Sequence, residues 1–286
     1  MDLKKPTTYK QQIEILKQKG IIIDDEDKCM TFLSEVNYYR FSAYFLPFKN
    51  MKTNSYFAGI TFHRVQRIYE FDEKIRNLIF GVIQNIEILL RVKLAYYHSH
   101  TYGADGYLTD SNFNNRHDHE QFLKQINARI KENRLTPVVQ HHNNNYNGKF
   151  PIWVLIEFFS MGMISHFYTD MKTSDKKKFA REINDTNYLN LESWLRCLTD
   201  LRNKCAHYSR VYYWNFPAIP KFSTNNPFVP DRRLFSQIYM LKNMYPDQRK
   251  WKANILTPLS SLLEEYESDI SLTHIGFPVN WLEILQ

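Results

Sequence analysis

Residues 189–210 read LNLESWLRCLTDLRNKCAHYSR, and their spacing decides the class of the chain. Leu191, Trp194, Leu195, Leu198, Leu201 and Cys205 recur at intervals of three and four, the period of a helix with one buried side. At about 100° per residue, Trp194, Leu198, Leu201 and Cys205 form a narrow stripe. Arg196, Asp200, Asn203 and His207 gather opposite it, and Arg202 lies on the flank. Solvated helix faces favour Lys and Glu, whereas Asn and His propagate helix less well and His titrates near neutrality. The pattern admits two readings. Either His207 caps the C-terminus of a surface helix, or Arg202, Asn203 and His207 form a chemical site.

The rest of the chain extends this helical theme. Its 286 residues are 43% hydrophobic and 15% aromatic, enough for a real core and contrary to disorder. Only 8 glycines, with long 3.6-period stretches, favour helices over a β sandwich or a Rossmann-type sheet. The longest such stretch runs from Phe62 to about His100, with Ile68, Ile75, Ile79, Val82, Ile86, Leu90 and Leu94 as its core stripe. On it, Asp72 with Arg76 and Glu87 with Arg91 are spaced as exposed i,i+4 pairs. Shorter helices are expected over 9–19, 24–36 and 119–133, then over 153–170 as one continuous apolar element. Leu234 to Met244, Trp251 to Tyr266 and a short turn after Gly276-Phe277-Pro278 complete the set. No clean boundary separates an extension over 1–60, a bundle over 61–215 and a second extension over 216–286.

Charge and motif chemistry narrow the function. A net charge of +7 suits a polyanionic partner. Candidate RNA contacts are Arg40 and Tyr39 in the aromatic run NYYRFSAYFLPF (Asn37 to Phe48), Arg91, the Lys176-Lys177-Lys178 run, and Arg210. Most aromatics of that run are expected to pack rather than to stack on bases. His117 with His119, and His141 with His142, lie in Asn-rich polar segments read as loops. Neither pair carries the thiolate or carboxylate spacing of a committed site, so neither a metal nor a cofactor is expected. Cys29, Cys197 and Cys205 are odd in number and lack C-x-x-C spacing. The opening MDLKKPTTYKQQ has no apolar signal core, which leads to the expectation of a reduced, cytoplasmic protein.

Five phrases occur in a telling order. They are NYYRFSAYFLPF, TFHRVQRIYEFDEKIRNLI (61–79), QNIEILLRVKLAYYH (84–98), FPIWVLIEFFSMGMISHFY (150–168) and LESWLRCLTDLRNKCAHYSR (191–210), with an echo in GFPVNWLEIL (276–285). Together they resemble the bacterial Abi-like (AbiD/AbiF-type) abortive-infection family over roughly residues 5–215. Arg202-Asn203-x-x-x-His207 resembles the motif of HEPN-superfamily ribonucleases. Many relatives carry a second His after the motif His, where this chain has Tyr208. The resemblance implies an all-α, HEPN-like helical bundle with N- and C-terminal helical extensions. It further implies a homodimeric, metal-independent endoribonuclease toxin of phage defence, with Arg202 and His207 catalytic, and a structured small noncoding RNA as regulator. Asn203 is an expected auxiliary group, and Glu87 is expected to orient the pair. A non-catalytic RNA-binding scaffold that dimerises through the same helix is the competing class.

Overall fold

The computed structural model describes residue 3 and residues 5–286, and among these the regular structure is helical, with three isolated β-bridges and no named strand. Local chemistry sets the first elements. Thr8 and Gln11 form a reciprocal capping box ahead of α1 (Tyr9–Gln18), and Asp25 accepts the Lys28 N–H to start α2 (Glu26–Glu35). Asn37 caps α3 (Tyr38–Ser42), which tightens into a 3-10 segment over Ala43–Phe48. Phe41, Tyr44, Phe45 and Phe48 are buried there, and Phe41 meets Phe32 edge-on with ring centroids 4.8 Å apart. The aromatic run is therefore mainly packing.

The centre of the molecule is α4 (Phe62–Tyr102), 41 residues long, capped by Thr61 and closed by Gly103 at φ 87°. Its expected core stripe is buried throughout. Next come α5 (His119–Glu132) and α6 (Pro137–Tyr146). The second differs from the loop expected over 141–147. His142 is buried, stacks on Phe150 at 4.9 Å, and its Nδ1 meets the Lys149 carbonyl, so tertiary packing overrides a weak helix sequence. The continuous helix expected over 153–170 is also corrected. It divides into α7 (Ile152–Leu155), a 3-10 turn, and α8 (Met161–Asp170). Ser160 breaks the run, since its Oγ caps the Met163 N–H. Then α9 (Thr173–Asn184) leads into α10 (Tyr188–Ala206), which packs on α8 and α4.

The C-terminal elements return to α4. They are α11 (Leu234–Met244), α12 (Gln248–Trp251), α13 (Thr257–Glu265) and α14 (Trp281–Leu285). Between α12 and α13 the chain widens into a π turn over Lys252–Leu256. Pro258 has no N–H for the Asn254 carbonyl, and its ring crowds that oxygen, so the expected single helix opens there. Arg67 of α4 lies 4.0 Å above the Tyr266 ring and pairs with Asp269, while Lys74 reaches Glu265. Cys29, Cys197 and Cys205 are buried, free thiols. Burial pushes Cys197 and Cys205 up to about 12.

The pairs Asp72–Arg76 and Glu87–Arg91 are not exposed. Asp72 is fully buried, and all four of its bonds are internal. One carboxylate oxygen accepts the N–H groups of Val211 (2.9 Å) and Tyr212 (2.6 Å). The other accepts the Tyr44 hydroxyl (2.8 Å) and Arg76 Nε (2.9 Å). Removing it with Asp72→Ala strands a buried guanidinium and two amides. The expected loss is about 3–5 kcal/mol, read as a lowered denaturant midpoint or as failure to fold. Arg76→Met, which leaves the other three bonds of Asp72 in place, is expected to cost less.

His98 generates a pH prediction. It is buried beside Phe167 and Phe113, and burial lowers its pKa from 6.5 to about 4. Between those values the unfolded chain takes up a proton that the folded chain refuses, so stability falls as pH drops through this window. The loss is roughly 3 kcal/mol from pH 7 to pH 4. Denaturation of wild type against His98→Leu should show a shallower pH slope for the variant.

Candidate active site

The C-terminal turn of α10 builds the site. Leu191, Trp194, Leu195, Leu198, Leu201 and Cys205 are buried as spaced, and Cys197 widens the stripe. The helix stops at Ala206. His207 follows as its cap residue, its N–H bonded to the Asn203 carbonyl at 3.0 Å. Tyr208 adopts φ 55°, and the Ser209 N–H closes back onto the Lys204 carbonyl at 2.9 Å. A tyrosine in this left-handed region costs about 1–2 kcal/mol, and Tyr213 repeats the cost at φ 50°. The strained turn is held from two sides. Arg40 donates from Nη1 to the Tyr208 carbonyl at 2.8 Å, and Asp72 binds the next two amides after Arg210.

On one side of this helix end, Asp200, Asn203, Lys204 and His207 share a face at i, i+3, i+4 and i+7. They line an open groove of about 410 Å³ together with Ser209, Trp214 and Arg232. His207 and Asn203 are exposed in it. Lys204 is half-buried, its Nζ 3.5 Å from the Trp214 ring centroid, and burial lowers its pKa. Burial raises that of Asp200. Sequence reasoning missed Lys204 and Trp214. Lys204 occupies a variable position of the motif, and nothing in the linear spacing brings Trp214 back over it.

On the flank, Arg202 meets Glu87. Its Nε lies 3.6 Å from Glu87 Oε2, and its Nη1 lies 3.5 Å from Asn203 Oδ1. Glu87 is buried on α4, and its other oxygen takes Arg91 Nη2 at 2.7 Å. Arg91 also donates to the Phe159 carbonyl at 2.9 Å, at the α7–α8 break. Glu87 thus sits between two guanidinium groups, hydrogen-bonded to that of Arg91 and in looser ionic contact with that of Arg202.

The other sequence candidates divide. Arg40 is at the motif turn, and its neighbour Tyr39 is 87% exposed. Arg210 is half-buried over the Tyr44 and Trp214 rings, and burial lowers its pKa. Arg91 is part-exposed and spends its Nη2 on Glu87 and the Phe159 carbonyl. Lys176 is corrected. It is buried, paired with Glu192 at 2.8 Å, and bonded to the Thr169 carbonyl. Lys177 and Lys178 are exposed, but they lie by Tyr188 at the other end of α10, about 28 Å away by helix rise. Among the described residues, no helix is long and apolar enough to cross a membrane.

The chain matches no curated protein and no solved structure. The family model for Abi-like proteins, however, matches residues 31–213. That match runs from α2 through the Asp72-bound segment after the motif, taking in Arg40, Glu87, Arg202 and His207. On that coverage, more than half of its length, the chain belongs to the Abi-like protein family.

Proposed function

We propose that this chain is a metal-independent endoribonuclease of HEPN type, acting as a growth-arresting toxin in abortive infection. Membership of the Abi-like family points to phage defence. The observation that carries the chemistry is the placement of Arg202 and His207 at an open helix end, one oriented by Glu87 and the other facing the 410 Å³ groove. RNA supplies its own nucleophile, the 2′-hydroxyl. His207 transfers protons, and Arg202 stabilises charge on the scissile phosphate with a permanently charged planar fork. Asn203 links the two, one residue from Arg202 and one turn from His207. Lys204 and Arg232 are the cations of the groove itself.

Five helical residues separate the two side chains by about 140° around the axis. One protomer therefore presents its Arg and its His to different sides. A homodimer that sets two copies of α10 against each other completes a cleft with both groups, and it supplies two histidines for acid and base. The basic chain suits a structured small RNA as the restraining partner.

His207→Ala is expected to lower the cleavage rate by about 10²–10⁴-fold, and Arg202→Ala to act comparably, with circular dichroism unchanged. Products should end in 2′,3′-cyclic phosphate, and cleavage should persist in excess chelator. Activity that survives both substitutions sinks the mechanism. RNA binding without cleavage by the wild type makes the chain a scaffold instead. As a positioning residue, Glu87 is tested by Glu87→Gln. A fall in kcat with little change in KM is expected, and an unchanged kcat removes Glu87 from the site.

A further inference from the structure

The segment between α4 and α5 carries a cluster that α10 does not use. Asp110, His117 and His119 bring a carboxylate oxygen and two ring nitrogens within 4.8 Å of one another. The His117 side chain is 1% exposed, and its Nδ1 lies 2.9 Å from Asp170 Oδ2. A carboxylate accepts, so Nδ1 is the donor there and Nε2 is the ring nitrogen turned toward His119. His119 Nε2 lies 3.0 Å from the Leu108 carbonyl, which only accepts, so Nε2 donates there and Nδ1 is the nitrogen turned toward His117. These two inner nitrogens face each other at 3.2 Å. At that spacing the two nitrogens share either a proton or, in its place, a metal ion.

Two nitrogens held at 2.0–2.1 Å by one tetrahedral zinc stand about 3.3 Å apart, close to the spacing here. Their outer partners, a carboxylate and a backbone carbonyl, are the groups that orient metal-binding imidazoles. Phe113 stacks on His117 with centroids 4.1 Å apart and fixes its plane. Asp118, between the histidines in sequence, is otherwise occupied as the cap of α5, whereas Asp110 is exposed with a carboxylate oxygen within 4.8 Å of the pair. We propose that Asp110, His117 and His119 bind one Zn2+, with a fourth position left to water. The ion would tie the 103–118 segment to the start of α5 and, through Asp170, to the end of α8. The sequence hid this site because Asp110 and Asp170 lie outside the H-x-H spacing. The proposal is independent of the ribonuclease reading. Asp170 adjoins the Thr169–Lys176–Glu192 cluster at the far end of α10 from His207, so stripping the ion should leave cleavage intact.

The untagged full chain, stripped with EDTA and returned to metal-free buffer, is titrated with zinc chloride by calorimetry and loaded separately with Co2+. One Zn2+ per chain and the visible absorption of tetrahedral Co2+ are expected. At zinc a hundredfold above Kd, the unfolding midpoint should rise by about 5 °C. His119→Ala should abolish the uptake. Asp110→Ala should weaken it by about tenfold or more, as loss of even an orienting partner does. If His119→Ala loses its helical circular dichroism, the exposed Asp110→Ala decides alone. The proposal is overturned if the wild type takes up no zinc at one per chain, or if the folded variants bind as tightly as the wild type. Neither readout involves RNA, so its failure is separate from that of the proposed catalysis.

Discussion

A single carboxylate, that of Asp72, joins the parts of this protein that matter most to one another. It lies in the middle of α4 and accepts hydrogen bonds from the N-terminal aromatic segment, from its own helix and from the backbone just after α10. A buried charge is costly unless every lone pair is used. Here four donors from three places in sequence use them, so burying the carboxylate is tolerable only when all three are assembled. The end of α10 is thereby fixed not by its own sequence but by a helix more than a hundred residues earlier.

That dependence explains the strain at Tyr208 and Tyr213. Neither residue is suited to a left-handed backbone, and neither conformation would survive in an isolated peptide. Arg40 and Asp72 grip the turn on either side of Arg210 and hold it in place. Arg202 is positioned by the same logic. Its partner Glu87 is itself set by Arg91, whose second bond goes to the break between α7 and α8. The backbone after His207 and the guanidinium of Arg202 thus both meet acidic side chains of α4.

The helical character of the chain and the buried sides of α4 and α10 were legible in the sequence, because one-dimensional periodicity reports which side of a helix meets the core. The partnership of Glu87 with the motif was legible only through family resemblance. What periodicity cannot report is depth. Asp72 and Arg76 have the spacing of a surface pair, and Lys176 has the context of a basic run, yet all three are buried. Their environments are made by segments remote in sequence. The breaks at Ser160 and before Pro258 had local signals, a capping hydroxyl and a missing N–H, but the apolar runs around them masked both. Lys204 and Trp214 share the groove only because the strained turn folds the chain back.

The cysteines give the end of α10 a reporter of its own. Cys205 is three residues beyond Arg202 and two before His207, yet its thiol is sealed in the core, and burial holds its pKa near 12. Nucleophilic attack requires the thiolate, so in the closed molecule this sulfur is chemically silent at neutral pH. Any event that lifts the last turn of α10 from α4 restores an ordinary thiol. The rate of alkylation at Cys205 therefore measures how often the motif comes undone, without a label placed in the site.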